Sequence, residues 1–432
     1  MGHVHQAMRA VADTVPGAPL DVDSLDLEGS AGFEAAFDVD TAAFAAAGLS
    51  NLAAGVTKLD RDRVVAAFST HVHVDGRPLP VWADLSGYYL TSDGGYLQLH
   101  CNFPHHAAGV VNRLRCEPDR ASVQEAVLRW DPADLEMALI ADGMIPARMR
   151  SRTEWDAHPH AVATASLPLI GVIRIGDGEP RPRERMLRVL DCSRVLAGPV
   201  AGMALAAHGA DVLRVGAAHL PSIEVGVIAT GFGKRNAFVD LRSKSETYAA
   251  LLDTCDVWID AFRPGSFARF GFTPEACAPG TVVVQISAFD WVGPWAGRRG
   301  YDSIVQTTTG IVAEGRDMSG SDQPTPLPVQ ALDYCTGYLA AFVARRLVEH
   351  QAEVGGTWLA RLSLLRTRNW LVGLAEPRPF TPAKPSVSPS ALGEIDSPFG
   401  MIRAPLSVGG VWGGPPQPLG SSSPSWLPGE NR

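Results

Sequence analysis

The pattern of apolar and polar positions changes character partway along this 432-residue chain. Up to about residue 80 the chain is rich in alanine and acidic residues, and its spacing predicts helices over residues 32–47 and 60–69. Residues 176–186 are polar and contain glycine and proline, which is typical of a linker. The two sides of this linker have different patterns and predict different architectures.

Before the linker, two short apolar runs at residues 87–90 and 96–100 flank a Ser-Asp-Gly-Gly sequence. This arrangement predicts two strands joined by a glycine turn. Residues 122–129 and 131–143 follow with helical spacing, and Asp131 and Asp134 are available to cap the second helix.

After the linker, apolar strands alternate with helices. A strand at residues 187–190, a helix at 200–208 and a strand at 210–215 form a βαβ unit, which is the building block of a parallel sheet. The same alternation predicts further strands and helices at residues 237–241, 244–254, 257–261, 281–288, 338–350 and 358–364.

These patterns predict an α/β fold class: a Rossmann-like parallel sheet domain with helices on both faces, and a smaller α+β domain. The expected division is a helical N-terminal region (1–80), the smaller α+β domain (81–186), the Rossmann-like domain (187–370) and a C-terminal extension (371–432). The extension is rich in proline, glycine and serine, so we expect an extended or partly disordered tail.

Composition excludes several classes of protein. The net charge of -9 gives no sign of the basic surface that binds nucleic acid. No apolar run reaches the roughly 18 residues of a membrane span, and the N-terminus has no signal-peptide core. The six cysteines form no C-x-x-C pair, so we expect a cytoplasmic protein with reduced thiols and no metal site.

The turn after the first predicted strand is not a dinucleotide fingerprint. Residues 194–202 contain two glycines rather than G-x-G-x-x-G, and Pro199 lacks an N–H group for a pyrophosphate. A nicotinamide or flavin enzyme is therefore not expected. A Walker sequence and a G-x-S-x-G elbow are also absent from the sequence.

Two other segments could bind an anion, and a third could cover a ligand. Residues 231–236 combine glycines with two cations, residues 262–266 precede Arg269, and residues 293–302 form a glycine-rich loop with two arginines and two aromatic residues. Each segment has a simpler alternative as a solvated turn or a plain connector.

Asp333 is the carboxylate of greatest interest, because it stands at the start of a long apolar helix, close to Gly337. It could be an ordinary helix N-cap. It could also be a nucleophile, because a carboxylate near a helix N-terminus can form covalent intermediates. Pairs of histidines such as His71 and His73, or His105 and His106, match no recognised metal spacing.

Taken in order, these segments resemble family III CoA-transferases, which include formyl-CoA transferase, the carnitine CoA-transferases and, as a relative, α-methylacyl-CoA racemase. The resemblance lies within residues 187–370. It is carried by residues 189–199, 208–215, 233–235, 239–241, 256–257, 262–265, 286–289, 293–294, 300–302 and 333–337.

The resemblance implies that coenzyme A passes from an acyl-CoA to a carboxylic acid, with Asp333 as the nucleophile and an aspartyl-CoA intermediate. Coenzyme A and its thioesters would be substrates, with no tightly bound cofactor. The positions implied in CoA binding or near the active site are Arg194, Leu196, Ala197, Gly233, Lys234, Arg235, Arg242, Phe262, Arg269 and Asp302.

The chain also departs from the family pattern. Gly216 and Ala217 stand where an acidic residue and often a cation follow the second strand, and Ala261 stands where asparagine is common. Residues 80–186 resemble the family's second half, which would normally follow Asp333, so the chain is a candidate for a permuted or half-length arrangement. Family members form interlocked dimers, so a homodimer is implied.

Two alternative functions remain at this point. One is a racemase or another acyl-CoA isomerase on the same fold, although the racemase branch has histidine where this chain has Tyr301. The other is a non-catalytic partner subunit that binds CoA or a second chain.

Overall fold

The computed structural model describes residues 2–182 and 186–428, so residues 183–185 of the predicted linker lie outside the described residues. The elements of the first segment are α1 (Gly2–Ala12), β1 (Asp26–Glu28), α2 (Val39–Leu52), β2 (Lys58–Asp60), α3 (Arg61–Phe68), β3 (His73–Val74), β4 (Arg77–Pro78), β5 (Gly87–Leu90), β6 (Tyr96–Leu99), α4 (Pro104–Leu114), α5 (Arg120–Val127), α6 (Pro132–Ala141), β7 (Pro146–Arg148), α7 (Arg152–Asp156), α8 (Pro159–Thr164) and β8 (Gly171–Gly176).

The second segment contains longer strands and helices. Its elements are β9 (Arg188–Cys192), α9 (Ala197–Ala207), β10 (Asp211–Gly216), α10 (Glu224–Ala229), β11 (Arg235–Phe238), α11 (Ser245–Thr254), β12 (Val257–Asp260), β13 (Val282–Ser287), α12 (Asp302–Thr308), α13 (Ile311–Ser319), α14 (Ala331–Val354), β14 (Thr357–Ser363), α15 (Leu364–Val372), β15 (Leu392–Ser397) and β16 (Gly400–Pro405).

A seven-stranded sheet with the order β11-β10-β9-β12-β13-β14-β8 organises the molecule. Every neighbouring pair is parallel except β14 and β8, which are antiparallel at one edge. Strand β13 is buried along its whole length, as expected where both faces of a parallel sheet are covered. The expected α/β class with a large, mostly parallel sheet is therefore confirmed.

Alternate residues of the strands enter two apolar cores, one on each face of this sheet. Val189 of β9 packs in the core that contains α9 and α14, whereas Leu190 packs on the other face with Leu251 of α11. Helix α14 is longer than the predicted 338–350, because it begins at Ala331.

The first segment does not remain separate from this sheet. Strand β8 is its antiparallel edge, and α2, which consists almost entirely of buried residues, shares the core of α9 and α14. Helix α2 begins at Val39, later than predicted, because Asp38 accepts the N–H of Thr41 there.

The C-terminal extension contains regular structure that its composition did not predict. Strands β15 and β16 form a hairpin, and β16 pairs with β3 in a sheet of order β15-β16-β3-β4. Strands β3, β8 and β16 pair with strands on the other side of the predicted boundaries at residues 80, 186 and 370. The division of the chain into domains at these residues stays a prediction.

A small antiparallel sheet of order β5-β6-β7 packs with α4, α5 and α6 in its own apolar core. Its β5–β6 hairpin agrees with the predicted strand pair, and Asp131 caps α6 by accepting the N–H groups of Ala133 and Asp134. Among the described residues, none of the helices combines the length and the apolar character needed to cross a membrane.

Buried ion pairs join this small sheet to the glycine-rich loop at residues 293–302. Glu136 of α6 accepts hydrogen bonds from Arg150 at 2.5 Å and from Arg298 of the loop at 3.1 Å. His160 holds the same loop, because its Nδ1 accepts the N–H of Trp295 while its Nε2 lies 2.8 Å from the carbonyl oxygen of Phe289.

Candidate active site

A cavity of about 450 Å³ opens at the carboxyl ends of β9 and β12. These strands are neighbours, with Cys192 opposite Asp260, and the sheet grows outward from them in both directions. This is the switch point of an open sheet, where ligands bind in α/β proteins. The predicted site residues that line the cavity are Arg194, Leu196, Ala197, Arg242, Phe262, Arg269 and Asp333.

Asp333 lies in the first turn of α14 and not at its N-cap, which is Gln330. Its side chain is therefore not needed to cap its own helix, and the residue is 7% exposed where it lines the cavity. Burial and the nearby Asp302 carboxylate raise the pKa of Asp333 well above its usual value, while the backbone N–H of Ala197 opposes that shift.

Ala197 is the first residue of α9, so the Asp333 carboxylate faces the N-terminus of that helix. The two helices approach closely at Gly337, where an added Cβ would lie 2.6 Å from the carbonyl oxygen of Ala197 and 2.7 Å from Val200 Cβ. A helix N-terminus favours negative charge. This contact therefore places a carboxylate, or an oxyanion formed from it, in a stabilising position.

The turn that leads into α9 is strained. Val195 has φ +72°, a conformation that is unfavourable for a β-branched residue. Next to it, Arg194 donates to the carbonyl of Pro221 and lies over the ring of Phe103 at 5.3 Å. Strained backbone of this kind persists where surrounding contacts hold it, often at functional sites.

Asp302 is completely buried behind Asp333 and does not line the cavity. Its Oδ2 accepts the backbone N–H of Asp333 at 2.9 Å, and Gln306 donates to its other oxygen. Burial raises the pKa of Asp302 to about 7. Asp302 therefore holds the first turn of α14 from outside the helix, which is a different place from the ligand contact expected of it.

Six arginines line the cavity: Arg194, Arg242, Arg263, Arg269, Arg298 and Arg299. Two of these have carboxylate partners, since Arg242 pairs with Asp240 at 2.6 Å and Arg298 with Glu136 at 3.1 Å. Within residues 2–182 and 186–428 the other four have no carboxylate at ion-pair distance.

Three of these unpaired arginines lie close enough to repel one another. Burial, then Arg299 and Arg269, lower the pKa of Arg263. Like charges that face a cavity without a counter-ion attract a polyanionic ligand.

Gly233, Lys234 and Arg235 do not reach this cavity. Lys234 is buried, and its Nζ donates to Asp191 Oδ2 and to the carbonyl of Pro199, both at 3.0 Å. Arg235 pairs with Asp211 at 2.7 Å. The structure thus places the glycine-lysine-arginine motif in the protein interior and at the sheet edge. The charges of Lys234 and Arg235 are paired with carboxylates there and do not face the cavity.

Part of the opposite wall of the cavity, the part that α4 contributes, was not expected from the sequence. Phe103, His105 and His106 come from the start of α4, far from Asp333 in the chain, and Tyr301 comes from the glycine-rich loop. Tyr301 stacks on His100 with a centroid distance of 4.1 Å, and burial raises its pKa to about 12. For Tyr301 the signal in the sequence was the glycine-rich loop at residues 293–302, and for His105 and His106 it was the adjacent pair of histidines, which matches no metal spacing.

The positions at which the chain departs from the family pattern, and the histidine and acidic residues considered for a metal site, can also be located in the structure. Gly216, Ala217 and Ala261, where the chain departs from the family pattern, all line the cavity. In the part of the chain that the structure describes, no group of three or more His, Cys, Asp or Glu residues is placed to hold a metal ion.

The sheet and the cavity define the class of protein: an α/β protein with an open, mostly parallel sheet and a cavity lined by arginines at the switch point of that sheet. Residues 186–375 match the family described as CoA-transferase family III. This match covers the βαβ segment from β9 to α15, which includes Asp333.

The chain is also similar to proteins of known name. It is 28% identical over 227 residues to the acetyl-coenzyme A transferase nodX of Hypoxylon pulicicidum, which covers 50% of this chain and 36% of that protein. It is 28% identical over 235 residues to the succinate–glutarate CoA-transferase of Agrobacterium fabrum, covering 47% of this chain and 58% of that protein. The chain therefore spans about half the length of these relatives or less.

Among solved structures, a CAIB/BAIF family protein from Brucella suis is 23% identical with a TM-score of 0.38, covering 50% of this chain and 65% of that chain.

Proposed function

We propose that this protein transfers coenzyme A from an acyl-CoA to a carboxylic acid through a covalent aspartyl-CoA intermediate on Asp333. The observation that carries the proposal is the position of the Asp333 carboxylate, which lines the cavity and faces the N-terminus of α9. The match of residues 186–375 to CoA-transferase family III supports the reaction class.

Coenzyme A would bind with its phosphates toward the unpaired arginines. Arg263, Arg269 and Arg299 carry charges that repel one another in the absence of a ligand. Phosphate oxygens accept charge-assisted hydrogen bonds from guanidinium groups, often in pairs. Phe262 and Leu241 add apolar surface to the same cavity.

Four bond exchanges complete one transfer. The Asp333 carboxylate attacks the thioester carbonyl of the donor, the C–S bond breaks, and a mixed anhydride and CoA thiolate form. The thiolate attacks the aspartyl carbonyl, which releases the first acid and leaves aspartyl-CoA. The acceptor carboxylate attacks this thioester to give a second anhydride and thiolate. The thiolate then attacks the acceptor acyl carbon, which forms the new acyl-CoA and restores Asp333.

Each attack develops negative charge on a carbonyl oxygen beside Asp333. The N–H of Ala197 and the N-terminus of α9 are positioned to stabilise such an oxyanion. Burial and Asp302 raise the pKa of Asp333, which makes its carboxylate a stronger nucleophile once ionised. The rate should therefore fall as the pH drops through this raised pKa.

Racemisation of an acyl-CoA is a weaker alternative, because it requires two acid–base groups that flank the α-carbon. Tyr301 occupies the position of the racemase histidine, and its pKa of about 12 keeps it protonated at neutral pH. A non-catalytic subunit is also less well supported, because it would not require a carboxylate at this end of the cavity. A homodimer remains a prediction of the family resemblance.

The test is to trap the intermediate. The purified protein is incubated with a panel of acyl-CoAs and treated with borohydride, which reduces an aspartyl thioester to an alcohol, and the peptides are analysed by mass spectrometry. We expect modification at Asp333 in the wild type, none in Asp333→Asn, and wild-type behaviour in Asp253→Asn, which changes an exposed carboxylate of α11. Retained turnover in Asp333→Asn would contradict the mechanism.

A further inference from the structure

Arg214 of β10 is a buried arginine without a protein partner. The residue is 9% exposed, and within residues 2–182 and 186–428 its guanidinium makes no hydrogen bond and no ion pair. The nearby Asp191 carboxylate is already engaged, because its Oδ1 accepts from Ser193 Oγ and its Oδ2 accepts from Lys234 Nζ at 3.0 Å. A guanidinium has several N–H donors and no acceptor, so burying it without a partner is costly.

The Arg214 side chain lines a second, smaller cavity of about 20 Å³ beside the turn at Val195. Its guanidinium nitrogens are not sealed by packing, in contrast to the partnerless Nε atoms of Arg345 and Arg368. The donors of Arg214 are therefore accessible from this cavity. The volume is sufficient for one particle of about the size of a water molecule, and it is too small for a phosphate group.

Every charged side chain in the wall of the small cavity is a cation, among the residues that the structure describes. Burial and the charge of Arg214 lower the pKa of Arg194, so these two arginines repel each other. Lys234 donates to Asp191 and to the carbonyl of Pro199, which leaves one of its N–H groups for another acceptor. The polar residues of the wall are Arg194, Arg214, Ser222, Thr230, Lys234 and Asn236.

We propose that the small cavity binds one monovalent anion of the size of chloride, held by Arg214 and Lys234. The anion accepts the hydrogen bonds that Arg214 does not make within the protein, and its charge offsets the repulsion between Arg214 and Arg194. The site is separate from the proposed CoA site, because neither Arg214 nor Lys234 lines the large cavity. The inference therefore does not depend on the role of Asp333.

The bound anion also supports the strained turn that precedes α9. Phe103, Arg194 and Val195 line both cavities, so this turn lies between the small cavity and the large one. Val195 has φ +72°, and strained backbone persists only where surrounding contacts hold it. A negative charge in the small cavity attracts Arg194 and thereby helps to hold the turn that leads to the N–H of Ala197.

The test compares thermal unfolding in sodium chloride and in sodium gluconate at equal ionic strength, because gluconate is too large for the small cavity. Wild type, Arg214→Met and Arg263→Met are measured side by side. Arg263→Met is the matched control, since Arg263 lines the large cavity and not the small one. General effects of the two salts on the protein surface are common to all three proteins and cancel in the comparison.

Relative to Arg214→Met, we expect the wild type to gain about 2 °C in Tm when chloride replaces gluconate. Arg263→Met should gain as much as the wild type. Crystals of the wild type grown in sodium bromide provide a second measurement that does not depend on the folding of a variant. Anomalous scattering should place a bromide ion beside Arg214 and Lys234.

Two results would overturn the proposal. Crystals without an anomalous peak at Arg214 would show that the small cavity takes water and not an anion. A chloride response that is equal in the wild type and Arg214→Met but is lost in Arg263→Met would place the anion in the large cavity.

Discussion

Two groups of cations in this protein look alike in sequence and differ in structure. Lys234, in the glycine-lysine-arginine motif, is buried with its Nζ 3.0 Å from the Asp191 carboxylate. Arg263, after the strand β12, is exposed, and partial burial together with the cations Arg299 and Arg269 lowers its pKa. The first charge is neutralised within the fold, whereas the second remains available to a ligand.

This comparison shows that a cation beside glycines indicates an anion site only where the fold has left the charge without a partner. Burial lowers the pKa of Lys234, and Asp191 opposes that shift, so the pair depends on both members. Arg263 depends on no partner in the described protein. The two groups should therefore respond differently to substitution: one in stability, the other in ligand affinity.

The largest effect is expected for Lys234→Met, which would leave the buried Asp191 carboxylate without its cationic partner, with Ser193 Oγ as a remaining donor. The cost of breaking a buried pair in this way is about 3–5 kcal/mol of unfolding free energy. Urea denaturation measures it, with the exposed Lys244→Met as the control. A loss below about 1 kcal/mol would mean that the pair does not stabilise the fold.

Arg263→Ala should have the opposite profile. Loss of a charge-assisted hydrogen bond to phosphate should weaken CoA binding about tenfold, and the weakening should shrink as salt is added. The unfolding free energy should stay the same or rise slightly, because a repulsion with Arg269 and Arg299 is removed. Calorimetric titration with CoA measures the affinity, and urea denaturation measures the unfolding free energy. A loss of stability with unchanged CoA affinity would contradict the assignment of Arg263 to ligand binding.

Asp333→Asn tests a buried charge that has a like charge nearby. Because its pKa is raised in the folded state, ionisation of Asp333 destabilises the fold as the pH rises above the unfolded value of about 4. The variant should match the wild type at pH 3 and be more stable than the wild type at pH 8, where the wild type carries the buried charge and the variant does not. Thermal unfolding at both pH values measures the difference, and a variant that is less stable at pH 8 would contradict this account.

The smallest effect is expected for Arg242→Ala. Arg242 lines the cavity but is exposed and already pairs with Asp240 at 2.6 Å. Solvent screening and this existing partner should limit the loss of CoA affinity to about two- to threefold. A tenfold loss of CoA affinity would indicate that Arg242 binds a phosphate of CoA. It would contradict the expectation that paired cations contribute little to CoA affinity.

Local patterns predicted much of the large sheet. The predicted strands at 257–261 and 281–288 differ from β12 and β13 by a residue or two at their ends. The pattern succeeded here because strands buried on both faces are short apolar runs between helices, whatever their neighbours are. The start of α14 was misplaced, because its first turn depends on Asp302, which lies 31 residues earlier in the chain.

The C-terminal extension was the least predictable region. Its proline, glycine and serine content suggested an extended tail, yet β16 pairs with β3 and Met401 donates to Asp75. Such pairing depends on where two distant segments meet, and composition does not contain that information.

The sequence by itself determined much of the alternation of strands and helices in the large sheet, the resemblance of residues 187–370 to family III CoA-transferases, and the choice of Asp333 as the candidate nucleophile. Only the tertiary structure decided which cations face the cavity and that α4 supplies its opposite wall. The physical reason is that helix and strand periodicity is local, whereas the partner of a charge is set by contacts between distant segments. Lys234 forms an ion pair with Asp191 in the protein interior, whereas Arg263 has no carboxylate partner among the described residues.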